Sequence, residues 1–150
     1  MPGAPRDEQE LGRTLTRWLT SRVDGDVAVT RIAAPGGGSS SETFLIDATI
    51  TGPDEARRVN WVLRIEPTGF QVYQDAAVEK QFRVMELLGR ISDVPVPATL
   101  WYESDPSLLG SPFFLMERVA GEAPPNDYHS SGVLAEATPA AREAMWRDGV

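Results

Sequence analysis

The chain has 150 residues, 41% hydrophobic and 24% charged, which are the proportions of one ordinary globular domain or of a piece of a larger protein. Its 22 acidic residues against 14 basic ones give a net charge of −8, which argues against the basic face that nucleic acid or an anionic membrane requires. With no cysteine and a single histidine, His129, the chain holds no disulfide framework, no thiolate chemistry and no His/Cys zinc site of its own. No apolar run approaches the ~20 residues of a membrane span. The N-terminus lacks an apolar signal core, so a cytoplasmic location is expected.

After a frayed "MPGAPRD", Leu11, Leu15, Trp18 and Leu19 recur at helical spacing and predict an amphipathic helix from Asp7 or Glu8 to about Arg22. "VAVTRIAA" alternates and is rich in β-branched residues, so it is expected as a strand. "TFLIDATIT" predicts a second strand from about Glu42 to Thr51, and "VNWVLRIE", Val59 to Glu66, a third; the three form an antiparallel meander. Asp75 is expected to cap a helix that runs to about Leu88, with Val78, Phe82, Met85 and Leu88 as its apolar stripe. "TLWYE" and "FFLMERV" predict two further strands, and "GEAPPNDYHSSG" a polar connection. A last helix starts at Pro139 with Thr138 as its cap. The expected core is Leu45, Trp61, Leu63, Val78, Phe82, Met85, Leu88, Leu100, Phe114 and Met116.

Two features carry chemistry. "PGGGSSSETFLI", Pro35 to Ile46, joins two strands of one sheet, and three readings stay open: a linker, an ordinary hairpin turn, or a Gly-rich loop that holds a ligand against bare backbone. In "NWVLRIE", Trp61, Leu63 and Ile65 point to one face while Val62 and Arg64 point to the other. A cation within an apolar strand needs an anion, a hydrogen-bonding partner, or an edge position from which it reaches water. Val62 beside Arg64, under a Gly-rich connection, suits a nucleotide, with the base on Val62 and phosphates on Arg64.

The order and spacing of "GGGSSSETFLI", "WVLRIEP", "VEKQFRVMELL", "DVPVPATLWYE" and "LLGSPFFLMERVAG" resemble the N-terminal lobe of a kinase-fold enzyme, most closely the aminoglycoside phosphotransferase-like family. That family extends to small-molecule phosphotransferases and to kinase domains associated with acyl-CoA dehydrogenases. The resemblance implies an α+β fold with a five-stranded antiparallel sheet, one packed helix and an N-terminal helix. Residues 1–121 would form the nucleotide-binding lobe, and residues 122–150 the linker and first helix of a C-terminal lobe. It implies that Gly37, Gly38, Ser39, Ser40 and Ser41 cover a triphosphate and that Arg64 stands where kinases place a phosphate-contacting lysine. Val62 would line the adenine pocket, with Met116 at its back and Glu117 to Val119 as the hinge.

The departures from the family pattern are equally specific. Arg64 is forked and permanently charged where lysine is usual. The helix position that carries the pairing glutamate falls on Gln81, which shares the apolar stripe, whereas Glu79 points roughly 130° away and would substitute for it only if the helix rotates. A neutral Gln81 can hydrogen-bond Arg64 but cannot neutralise it, and a half-buried Gln81 with no special partner is the plain alternative. No "HGD"-like segment is present, so the proton acceptor and the Mg²⁺ ligands of ATP- or GTP-dependent transfer are expected in a lobe beyond this sequence. The expected function is therefore the nucleotide-binding lobe of a phosphotransferase acting on a small-molecule alcohol, without catalytic or metal-binding residues of its own. A non-catalytic kinase-like regulatory module is the alternative, and a purely structural α+β domain a third. An isolated lobe is expected to self-associate through an apolar patch.

Overall fold

Asp7 opens the first helix because its carboxylate accepts hydrogen bonds from the N–H groups of Gln9 (2.8 Å) and Glu10 (3.4 Å), which otherwise lack partners in the first turn. The computed structural model describes residues 6–35, 42–67, 77–121 and 130–148. In chain order the elements are α1 (Glu8–Thr20), β1 (Asp26–Ala33), β2 (Glu42–Thr51), β3 (Ala56–Ile65), α2 (Val78–Ile91), β4 (Thr99–Glu103), α3 (Pro106–Leu109), β5 (Phe113–Glu117), α4 (Gly132–Glu136) and α5 (Pro139–Asp148). Between α1 and β1 the chain turns through Gly25, at φ +120°. A Cβ there would stand 2.5 Å from the Thr51 carbonyl oxygen, so glycine is required on both counts.

The strands form one antiparallel sheet in the order β1-β2-β3-β5-β4. The meander and the five strands are as expected. The third strand starts earlier than predicted, at Ala56, because the whole of "ARRVNW" pairs with β2. Two bulges interrupt the ladders, between Val29 and Arg31 and between Thr99 and Trp101. The second breaks strict alternation, so that Leu100 and Trp101 both pack against the same core.

That core lies between the sheet and α1. Leu11, Leu15, Trp18 and Leu19 cover Phe44, Ile46, Ala48, Ile50, Trp61, Leu63, Ile65, Phe113 and Leu115. Trp18 meets Phe113 edge-on at 4.9 Å and Trp101 at 6.4 Å, and Trp101 meets Trp61 at 5.7 Å. The indole N–H of Trp18 donates to Glu103 Oε2 (2.8 Å), which also accepts from Arg22 (2.9 Å), while the Arg22 guanidinium lies 4.0 Å over the Trp18 ring. Arg6 pairs with Glu42 and so ties the entry of α1 to β2.

On the opposite face, α2 packs over β4 and β5, with Phe82 against Phe114 and Tyr102 at 5.7 Å each. Of the ten expected core residues, Trp61, Leu63, Val78 and Phe114 are buried and the other six half-buried. The core is weighted toward α1 rather than toward α2 as expected: α1 buries four side chains and α2 only Val78. The second helix also starts differently. Its N-cap is Ala77, without a side-chain cap, and the Val78 N–H donates to Glu66 Oε2 (3.2 Å) instead. It continues past Gly89 to Ile91. Asp75 lies outside the described residues.

The chain divides into two units, Met1–Arg118 and Val119–Val150. In the second, Thr138 caps α5 as predicted, accepting from the Ala141 N–H (3.2 Å). Arg142 donates to the carbonyls of Ala137 (3.0 Å) and Ala135 (3.1 Å), which holds α5 to the preceding short helix α4.

The α1 layer yields two expected outcomes. Leu15→Ala empties a fully buried position and is expected to cost about 2–5 kcal/mol of unfolding free energy, measured by urea denaturation. The Trp18 hydrogen bond, the Asp105 backbone N–H and the Arg22 charge hold Glu103 below its ordinary pKa, with burial opposing them. Its folded pKa lies under the unfolded value of about 4.3, so the contribution is complete above that pH and is lost as pH falls through the folded pKa. The urea midpoint of the wild type should therefore fall more steeply than that of Glu103→Gln between about pH 5 and pH 3.

Candidate functional site

Strand β3 alternates, so burying Trp61, Leu63 and Ile65 under α1 turns Val62 and Arg64 to the other face. The strand register then sorts that face into rows. Leu45 on β2 stands opposite Val62, and Val62 opposite Met116 on β5, which makes an unbroken apolar row. The next row holds Thr43, Arg64 and Phe114, and the row on the other side begins with Asp47 and Asn60. Val62 and Phe114 are buried, whereas Leu45, Arg64 and Met116 are half-buried and so keep surface available on this side.

Arg64 lies at the end of β3 nearest the β1–β2 connection, since its partner Thr43 is the second residue of β2. Burial lowers its pKa from the ordinary arginine value, because desolvation disfavours the charged form. Residues Gly37, Gly38, Ser39, Ser40 and Ser41 of the connection lie outside the described residues, as does His129.

Gln81 is half-buried on α2, as its helical phase predicts, and its side chain makes no hydrogen bond among the described residues. Glu79 is committed elsewhere: it accepts from Arg83 one turn on, at 2.8 and 2.9 Å. Glu66 is held at the start of α2 by the Val78 N–H. Tyr102, which packs on Phe82, has its pKa raised, first by burial and then by the charges of Glu79 and Glu66. Among the described residues no three His, Cys, Asp or Glu side chains gather as a metal site would need.

Beyond Met116 the backbone is held from both sides. The Glu117 N–H donates to the Ala98 carbonyl (2.9 Å), and the Arg118 N–H to the Asn60 carbonyl (3.1 Å). Val119, at 67% exposure, opens the second unit. Leu45, expected in the core, is half-buried on this face, and Thr43, Phe114 and Asp47 stand beside it without being among the expected site residues. Their strand alternation carried the signal, but register across strands is a tertiary fact. A separate open groove of about 670 Å³ runs between α1 and β1, lined by Arg13, Arg17 and Arg31 among others, and shares no residue with these rows.

Comparison with known proteins places the architecture. The sequence model of the Phosphotransferase enzyme family (APH) matches residues 31–148. "Probable acyl-CoA dehydrogenase IBR3" of Arabidopsis thaliana is 33% identical over 91 residues, covering 61% of this chain and 11% of that protein. "Acyl-CoA dehydrogenase family member 10" of Mus musculus is 35% identical over 85 residues, 57% of this chain and 7% of that protein. The chain thus spans only a small part of the curated relatives it matches. Among solved structures, a Ralstonia eutropha protein provisionally assigned as an aminoglycoside phosphotransferase superposes with a TM-score of 0.51 at 26% identity, covering 73% of this chain and 28% of that one. The five-stranded sheet with helices on both faces is therefore a kinase-like N-lobe, and a match that runs from β1 into α5 means that the chain belongs to the phosphotransferase enzyme family.

Proposed function

We propose that this chain is the nucleotide-binding lobe of an ATP- or GTP-dependent phosphotransferase whose acceptor is a hydroxyl group of a small molecule. One observation carries the reading: an apolar row, Leu45, Val62 and Met116, lies directly beside half-buried Arg64, whose strand partner Thr43 is the second residue of β2 after the Gly-rich connection. The apolar row suits the flat face of a nucleobase. Arg64 suits the phosphates, whose charge offsets its desolvation and whose oxygens match the guanidinium fork. Gly37, Gly38 and Ser39 to Ser41 would cover the phosphates with backbone N–H groups and hydroxyls. The backbone from Glu117 to Val119 would meet the edge of the base.

Among the described residues no cluster of three His, Cys, Asp or Glu side chains is present to hold a metal by protein ligands alone. The reading therefore assigns metal ligands and the group that accepts the hydroxyl proton to a part of the enzyme outside them. A non-catalytic regulatory lobe is the second reading, and the observation that favours it is that the half-buried Gln81 side chain makes no hydrogen bond among the described residues. The α2 face turned away from the sheet exposes Val84, Leu87 and Ile91, which supports self-association of the isolated lobe.

Calorimetric titration tests the reading. Wild-type protein is expected to bind ATP or GTP weakly, and Arg64→Ala or Gly37→Val to weaken binding about tenfold or more. The glycine variant acts by blocking backbone approach. Equal affinity in all three would return the connection to an ordinary hairpin turn. The purified 150-residue chain is expected to show no acceptor-dependent release of nucleoside diphosphate. Such release, abolished in Arg64→Ala, would contradict the assignment of catalytic groups elsewhere.

A further inference from the structure

One carboxylate oxygen joins three strands at the Glu117 end of the candidate site. Asp47 Oδ1 accepts from the Asn60 side-chain amide (2.7 Å) and from Arg118 (3.0 Å), residues of β3 and of the exit from β5. Asp47 stands opposite Asn60 in the register, one row outside Leu45, Val62 and Met116 on the same face. The Asp47 backbone is itself fixed, because Thr30, the extra residue of the β1 bulge, donates its hydroxyl to the Asp47 carbonyl (3.0 Å). Arg118 is therefore held twice: its N–H bonds the Asn60 carbonyl and its guanidinium reaches over Asn60 to Asp47.

We propose that Asp47 is a positioning residue for nucleobase recognition: through Arg118 it sets the backbone that leaves β5, against which the edge of the base is bound. The inference rests on the nucleotide reading above. Its physical basis is that a surface ion pair contributes little to global stability. Arg118 and Asp47 retain 34% and 26% side-chain exposure, so the pair is a poor fold stabiliser, yet it sits on the peptide that a base would meet. Losing it frees that peptide and raises the ordering cost of binding a base. The phosphate end, two rows away at Arg64, keeps its contacts.

Separate titrations with ATP, GTP and inorganic tripolyphosphate distinguish these ends. Asp47→Ala is expected to weaken ATP and GTP about tenfold while changing tripolyphosphate affinity by less than about twofold. Arg118→Met removes the same bond from an exposed residue and is expected to do likewise, which covers the case of a poorly folded Asp47→Ala. Asp47→Asn keeps a neutral acceptor and should fall between Asp47→Ala and wild type. Arg64→Ala, by contrast, weakens all three ligands. Wild-type nucleotide affinity in folded Asp47→Ala or Arg118→Met, or an equal loss of tripolyphosphate, would overturn the role of Asp47 and leave the nucleotide reading standing. Failure of the wild type to bind either nucleotide would overturn the nucleotide reading, and this proposal with it.

Discussion

Strand β3 buries Trp61, Leu63 and Ile65 beneath α1, and the placement of every candidate site residue on the sheet depends on that burial. Side chains alternate with a period of two, so a slip of one residue would drive Arg64 into an aromatic and aliphatic core and expel Leu63. Leaving an arginine there without a compensating partner costs several kcal/mol, roughly the net stability of a small domain. The register is thereby fixed by the α1 side, although the candidate chemistry lies on the other. The tryptophan cluster and Glu103 hold α1 in place and so act on the site from behind the sheet.

This arrangement divides the labour between the two helices that cover the sheet. The first supplies buried area and fixes the strands. The second is half-buried, with Gln81 among its half-buried residues, and exposes Val84, Leu87 and Ile91. A helix with one buried residue is the less strongly anchored of the two. Its start is bound to the end of β3 by Glu66, one residue past Ile65, so any displacement of α2 is coupled to the strand that bears Arg64.

Most of the sheet was legible because alternation and β-branching mark strands locally, and Val62 and Arg64 could be put on one face without knowing any partner strand. The family resemblance added the site roles, and the fold agrees with it. Features made by residues far apart in sequence were not legible. Glu66 receives the first N–H of α2 from twelve residues away, Arg118 reaches Asp47 across seventy-one, and the β4 bulge that turns both Leu100 and Trp101 inward has no local marker. The apolar stripe of α1 was visible, but its ownership of the main core was not, because an amphipathic pattern does not say which face of a sheet a helix will cover.

On the function proposed above, the face bearing Val62 and Arg64, and not the α1 face, binds a nucleotide. Amide chemical-shift mapping of the ¹⁵N-labelled chain during addition of ATP or GTP tests it directly. The largest shifts are expected on Leu45, Val62, Arg64, Met116 and Glu117, with little change at Leu15 or Leu19. Shifts concentrated instead along Arg13, Arg17 and Arg31 in the α1–β1 groove, or no shifts at saturating nucleotide, would contradict it.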